Sequence, residues 1–145
     1  MSSDLAGSDF RFVDHLTAPQ TSQLHELYQQ EWWTNTRSLE QTKQVVAHSS
    51  LLIGIVTADS RLVGFARVLT DFTIKALVLD VIVAEAFRDR RLGYALMQRI
   101  IEHPKLRHIG DFELYCLPDM EAFYRKWAFT SDIPQLRFMR FRRPR

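Results

Sequence analysis

The sequence predicts a mixed α/β fold: a mostly antiparallel central sheet flanked by helices on both faces. Three observations carry that prediction. Three apolar, β-branched runs follow one another through the middle of the chain, Leu51 to Thr57, Arg61 to Leu69 and Ala76 to Val83, joined by short polar connections. Beyond them, two stretches of helical periodicity enclose one of strand alternation. The chain has 145 residues, 46% hydrophobic and 25% charged, the size and balance of one globular domain with one core. We read residues 1–145 as a single domain, with 1–8 as a flexible lead and 142–145 as a basic tail.

Taken in order, Phe10 to Asp14 alternates and predicts a first strand. Thr17 and Pro19 mark a helix start, and Leu24, Leu27 and Tyr28 continue at helical spacing. Ser38-Leu39-Glu40-Gln41 fits a capping box, which opens a second short helix toward Ala47. Asp59-Ser60 supplies the turn between the first two central strands, and the Thr70–Lys75 connection leads to the third, so the three form a meander. Leu92, Leu96 and Ile100, with Met97 and Ile101 beside them, form the stripe of a helix that Pro104 ends. Phe112, Leu114 and Cys116 alternate with polar or amphipathic neighbours as a strand. Met120, Phe123, Tyr124 and Trp127 predict a last helix, capped by Asp119. Phe129 and Leu136 to Phe141 are expected to close the chain as strands.

Composition narrows the function classes. A net charge of +2 is too small to imply nucleic acid. Arg137, Arg140, Arg142, Arg143 and Arg145 nevertheless crowd the end, as a solvated strand face with a frayed tail or as an anion or nucleic-acid patch. Cys116 is the single cysteine, which excludes an intramolecular disulfide and suits a reducing compartment, the cytoplasm by default. No apolar run approaches the length of a membrane span, and the first nine residues hold no apolar signal core. The five histidines show no metal-ligand spacing with one another or with Cys116, so no metal is expected. Cys116 itself reads as a core thiol. A Gly-x-Ser-x-Gly elbow is absent, which excludes a serine hydrolase of that type.

The most informative stretch runs from Val81 to Leu96. An apolar strand passes through a charged turn into a helix whose first turn holds Gly93 and Ala95. A helix start leaves backbone N–H groups unpaired, and the macrodipole adds partial positive charge there. Small residues let a bulky anion approach, and Arg88, Arg90 and Arg91 add full charges. This is the chemistry of a pyrophosphate cradle, though an Arg-rich helix entry is equally an ordinary structural feature. The stretch is neither a Walker loop nor a dinucleotide fingerprint.

Arg90-x-x-Gly93-x-Ala95 resembles the Arg/Gln-x-x-Gly-x-Gly/Ala signature of the GCN5-related N-acetyltransferase (GNAT) family. Leu79-Asp-Val-Ile-Val83 is similar to that family's fourth strand, and Phe123-Tyr-Arg-Lys-Trp-Ala-Phe129 to its Phe-Tyr-x-x-x-Gly-Phe motif. The order of elements agrees from about residue 10 to 141. Two positions depart: Ala95 replaces the commoner second glycine, and Ala128 stands where glycine is usual, which questions the tightness of that turn.

The resemblance implies an acyl-CoA N-acyltransferase architecture and transfer of an acetyl group from acetyl-CoA to an amine of a small molecule or protein, by direct attack in a ternary complex. It implies that the fourth and fifth strands splay at a bulge. There the main chain of Val81, Ile82 and Val83 would pair with the pantetheine arm, and the amides of Arg91, Leu92, Gly93, Tyr94, Ala95 and Leu96 would hold the pyrophosphate with Arg88 and Arg90. Tyr124 would protonate or stabilise the departing thiolate; spacing alone also fits simple packing. Asp80 would be the base that deprotonates the amine, with a structural acceptor as its other reading. Trp32, Trp33 and Arg67 would line the acceptor pocket, the tryptophans fitting core or lid packing as well. A homodimer is plausible from the family. The competing functions are a non-catalytic acyl-CoA sensor of the same fold and a basic nucleic-acid-binding module.

Overall fold

The computed structural model describes residues 9–144, and the chain divides into two compact units, Met1–Leu114 and Tyr115–Arg145. The larger unit opens with β1 (Phe10–Val13), α1 (Ala18–Gln29) and α2 (Leu39–His48). Both helices begin with a complete capping box: Thr17 with Gln20, and Ser38 with Gln41. Only the second is expected from the sequence; at the first, Pro19 already marks the helix start and the Thr17-x-x-Gln20 box adds to it. Three antiparallel strands follow, β2 (Leu51–Thr57), β3 (Leu62–Thr70) and β4 (Lys75–Val83), then α3 (Leu92–Ile101) and a short β5 (Asp111–Glu113).

Strand order in the sheet is β1-β2-β3-β4-β5, and only the β4–β5 pair is parallel. That follows from connectivity: short turns link β2 to β3 and β3 to β4, whereas a parallel neighbour needs a crossover, which α3 supplies. One sheet face packs Leu52, Val56, Leu62, Phe65 and Ile82 against Leu24, Leu27 and Tyr28 of α1. The other face meets α3, whose buried stripe is Leu92, Ala95, Leu96, Met97 and Ile100. Gly54 lets β1 approach, since a Cβ there would lie 2.8 Å from Val13 Cγ2. The sheet is therefore mixed, mostly antiparallel, with helices on both faces.

β4 is irregular where it matters. Its register passes from Arg67↔Leu79 to Phe65↔Ile82, so three steps along β4 match two along β3. The extra residue is a β-bulge, and Asp80 within it adopts a left-handed backbone, φ 56°. Aspartate tolerates that region better than most residues with a Cβ.

The second unit departs from expectation in three places. The predicted helix is a chain of short helical turns, Pro118–Met120, α4 (Glu121–Tyr124) and Arg125–Trp127, and Asp119 lies inside the first turn instead of capping it. Pro118, pre-set for a first helical position, decides that start. The strand predicted through Cys116 ends at Glu113, and Cys116 is exposed, not a core thiol. Finally, neither Phe129 nor Leu136–Phe141 forms a strand. Among the described residues this stretch finds no partner ladder, and Leu136, Phe138, Met139 and Phe141 stay exposed. Alternation states only what a strand would bury; hydrogen-bonded neighbours make it one.

Candidate functional site

β5 pairs only with Lys75, Ala76 and Leu77, whereas β4 continues six residues further. From Val78 to Val83 the edge of β4 turned away from β3 carries no strand ladder among the described residues. The bulge at Asp80 sits inside this segment and twists the edge further. Val81 and Val83 are half-buried and Ile82 is buried in the α1 core, so what the open edge offers is main chain, short of the Val83 carbonyl, which accepts from Arg88 Nε and Gln30 Nε2.

β4 then leads through a single turn, Glu85–Phe87, into α3. Arg91 occupies the N-cap of α3 with a left-handed backbone, φ 58°, and no side chain caps the helix. The contrast with α1 and α2 is direct, because those helices satisfy their first-turn amides with Thr17 and Ser38. The first turn of α3 thus presents donors and the positive end of the helix dipole. Leu92 and Leu96 point into the core, and Gly93 and Tyr94 are half-buried.

The three arginines differ. Arg88 donates to Glu31 at 2.5 Å and to the Val83 carbonyl at 3.2 Å, so it ties the loop to the end of α1. Gln30 completes that tie, accepting from the Glu85 amide at 3.1 Å. Arg90 lies 3.7 Å from Asp89 and 5.8 Å from the Phe87 ring centroid, and Arg91 stacks over Tyr94 at 4.6 Å. Arg90 and Arg91 are exposed and reach solvent beside the uncapped helix.

Asp80 is the centre of a polar cluster. Its Oδ2 accepts from Tyr28 Oη at 2.8 Å, Arg37 Nη1 at 2.6 Å and Arg67 Nε at 2.7 Å, and its Oδ1 accepts from Arg37 Nη2 at 3.2 Å. The Asp80 side chain is 3% exposed, Arg67 13% and Arg37 26%. Burial alone would raise the carboxyl pKa; the hydrogen bonds and charges of Arg37 and Arg67 outweigh it and hold the group below the ordinary carboxylate range. Burial and the Asp80 charge push the Tyr28 phenol well up, so it stays neutral. Arg37 also lies over the Tyr28 ring, 4.6 Å from its centroid, and Tyr28 meets Phe65 edge-on.

A carboxylate so held is a weak base, with three donors crowded on one oxygen. The geometry favours a structural anchor for Asp80 over the base expected from the sequence. Arg67 is where the sequence places it, on β3, yet it serves Asp80 and also reaches Ser49 Oγ at 3.4 Å. Trp32 and Trp33 lie in the α1–α2 linker and are exposed, Trp32 at 69%. Fully buried Thr34 pins that linker by donating to the Tyr28 carbonyl at 2.7 Å.

The sequence reading assigns Tyr28 to packing and sets Arg37 in the linker beside the expected acceptor pocket, without linking either to Asp80. A signal exists nonetheless. An acid inside an apolar strand needs counter-charges when buried, and Arg67 stands across the hairpin from it. Arg37 lies 43 positions away, beyond any periodicity argument.

In the second unit Tyr124 is buried, with its ring edge-on to Phe123 and Phe129. Among the described residues its hydroxyl makes no hydrogen bond, and no sealed side-chain oxygen lacks a partner, so the hydroxyl stays accessible. Burial, then the Cys116 charge, pushes the phenol up to about 12. Partial burial, then Glu121 and Asp119, raises the Cys116 thiol, which keeps it protonated near neutrality.

Known proteins supply an independent comparison. The model of the acetyltransferase (GNAT) family matches residues 12–129. An uncharacterized N-acetyltransferase, ycf52, from Porphyra purpurea is 32% identical over 113 residues, 76% of this chain and 64% of the relative. The chain thus spans under two thirds of that relative's length. Serotonin N-acetyltransferase 2 of Oryza sativa subsp. japonica, a chloroplastic protein, is 29% identical over 99% of this chain and 72% of its own. A GNAT-family crystal structure from Xanthomonas campestris pv. campestris superposes with a TM-score of 0.76 at 28% identity, covering 92% of this chain and 94% of that one.

Proposed function

The chain belongs to the GNAT acetyltransferase family, and from that premise we propose that it moves an acetyl group from acetyl-coenzyme A to an amine by direct attack within a ternary complex. The observation that carries the reading is the ladder-free edge of β4 running into a helix that no side chain caps. An extended amide-bearing arm can add to such an edge as a strand would, and a diphosphate suits an uncapped helix start flanked by Arg90 and Arg91. These residues fit the group.

When bound, acetyl-coenzyme A supplies the reactive thioester. The main chain at Val81, in the bulge, would donate to the oxygen on which negative charge develops. Tyr124 keeps its proton far above neutrality, and the role we assign it by family resemblance is that of the donor that would stabilise a departing thiolate.

Calorimetry with acetyl-coenzyme A tests the reading. The wild-type protein should bind, and Gly93→Glu, which sets a bulky anion on the helix start, should weaken binding by about tenfold or more. A folded protein that ignores the ligand at millimolar concentration removes the proposal.

A further inference from the structure

We propose that the acceptor amine also carries a carboxylate, and that Arg37 and Arg67 bind it. The inference rests on the acyl-transfer reading above and names its substrate class. Charge comes first. Arg37 and Arg67 pair with the same Asp80 oxygen, and Tyr28 is neutral, so the cluster keeps one uncompensated positive charge in a mostly buried place. No other carboxylate of the described chain forms an ion pair with either guanidinium. Glu31 is committed to Arg88, and Asp71 accepts from the amides of Thr73, Ile74 and Lys75.

Donor count points the same way. Arg67 spends Nε on Asp80 and Nη1 on Ser49, and its Nη2 makes no hydrogen bond among the described residues. No sealed side-chain nitrogen lacks a partner, so Nη2 reaches the surface although the side chain is only 13% exposed. Arg37 gives two of its five N–H groups to Asp80 and also engages Tyr28, which still leaves donors over, on a side chain 26% exposed. Two forks already fixed by a shared carboxylate therefore present spare donors with little entropy left to lose.

The size of the charge selects the anion. A carboxylate balances the single excess charge, whereas a phosphate monoester dianion would overshoot it. The linker that carries Arg37 also exposes Trp32 and Trp33, an apolar surface for the body of such an acceptor.

The test is a set of matched acceptors, each amino acid against the amine that lacks its carboxylate: tryptophan and tryptamine, phenylalanine and phenethylamine, lysine and cadaverine. O-phosphoethanolamine forms the phosphate arm, and coenzyme A release is followed in every case. At least one carboxylate member should exceed its partner in kcat/KM by about tenfold or more, the worth of a charge-assisted hydrogen bond. Arg67→Gln should collapse that ratio below about threefold, and Arg67→Lys should restore part of it. If Arg67→Gln does not fold, the wild-type ratios and Arg67→Lys still decide. Preference for the carboxylate-free amines or for the phosphate arm overturns the proposal, as does a panel left untouched by a protein that binds acetyl-coenzyme A. A protein that fails to bind acetyl-coenzyme A at all refutes the acyl-transfer reading first, and calorimetry separates the two failures.

Discussion

Asp80 does two jobs with one side chain. Its carboxylate gathers Tyr28, Arg37 and Arg67, and its backbone occupies the left-handed position that makes the bulge. Substitutions separate these jobs. Asp80→Ala loses both, leaving two arginines without their counter-charge. We expect a cost toward the lower end of about 3–5 kcal/mol, since Arg37 keeps some solvent. Asp80→Gly loses the carboxylate but relaxes the backbone, so urea unfolding should find it more stable than the alanine variant by roughly 0.5–1 kcal/mol. The same carboxylate dictates a pH dependence. Its folded pKa lies below the ordinary 3.8, so its stabilisation is complete above that value and fades as pH falls through the folded pKa. Acid titration of Asp80→Asn should show a shallower loss below about pH 4 than wild type. Tyr124 makes the opposite kind of prediction. With its phenol near 12, a pH–rate profile should show no fall from tyrosinate through pH 10, and Tyr124→Phe should lower kcat by about tenfold with acetyl-coenzyme A affinity intact. Equal kcat in the two proteins, with chemistry limiting, would assign Tyr124 to packing. Both residue types are legible in the sequence as candidates. Their partners are not, because Arg37 and Tyr28 reach Asp80 from 43 and 52 positions away.

At the scale of elements, what can be read depends on whether an element is specified locally. The α2 box at Ser38, the stripe of α3 and the β-branched strands are written in neighbouring residues, and each forms where expected. The C-terminal strands fail by the same criterion: their alternation is present, but among the described residues no neighbour completes a ladder. The turn at Ala128 falls between these cases. Glycine is missing, yet the residue ends the Arg125–Trp127 turn in the left-handed region at φ 65°, the conformation glycine would adopt freely. Left-handed alanine costs roughly 1–2 kcal/mol, and glycine returns part of that through unfolded-state entropy. Ala128→Gly should therefore gain about 0.5–1 kcal/mol, read as a rise in Tm; a fall would mean that the alanine methyl makes contacts worth more than the strain.

At the scale of the larger unit, the meander and its parallel partner leave β4 half covered among the described residues, and the proposed acyl-coenzyme A site lies along that uncovered length. The meander itself is plain in the sequence, since two short connections join three strands as antiparallel neighbours. The extent of β5 is not plain, because a ladder's length is settled by where two strands diverge in space. The inserted residue in β4 has one more consequence. With position 80 excised, Leu79 would still face Arg67, Val81 would meet Ala66, and Ile82 would keep Phe65. The ladder would close without a gap, and every remaining side chain would stay on its own side of the sheet. Strand register and the polar cluster thus part company at a single codon: the ladder could do without position 80, but Arg37 and Arg67 would be left without their shared counter-charge.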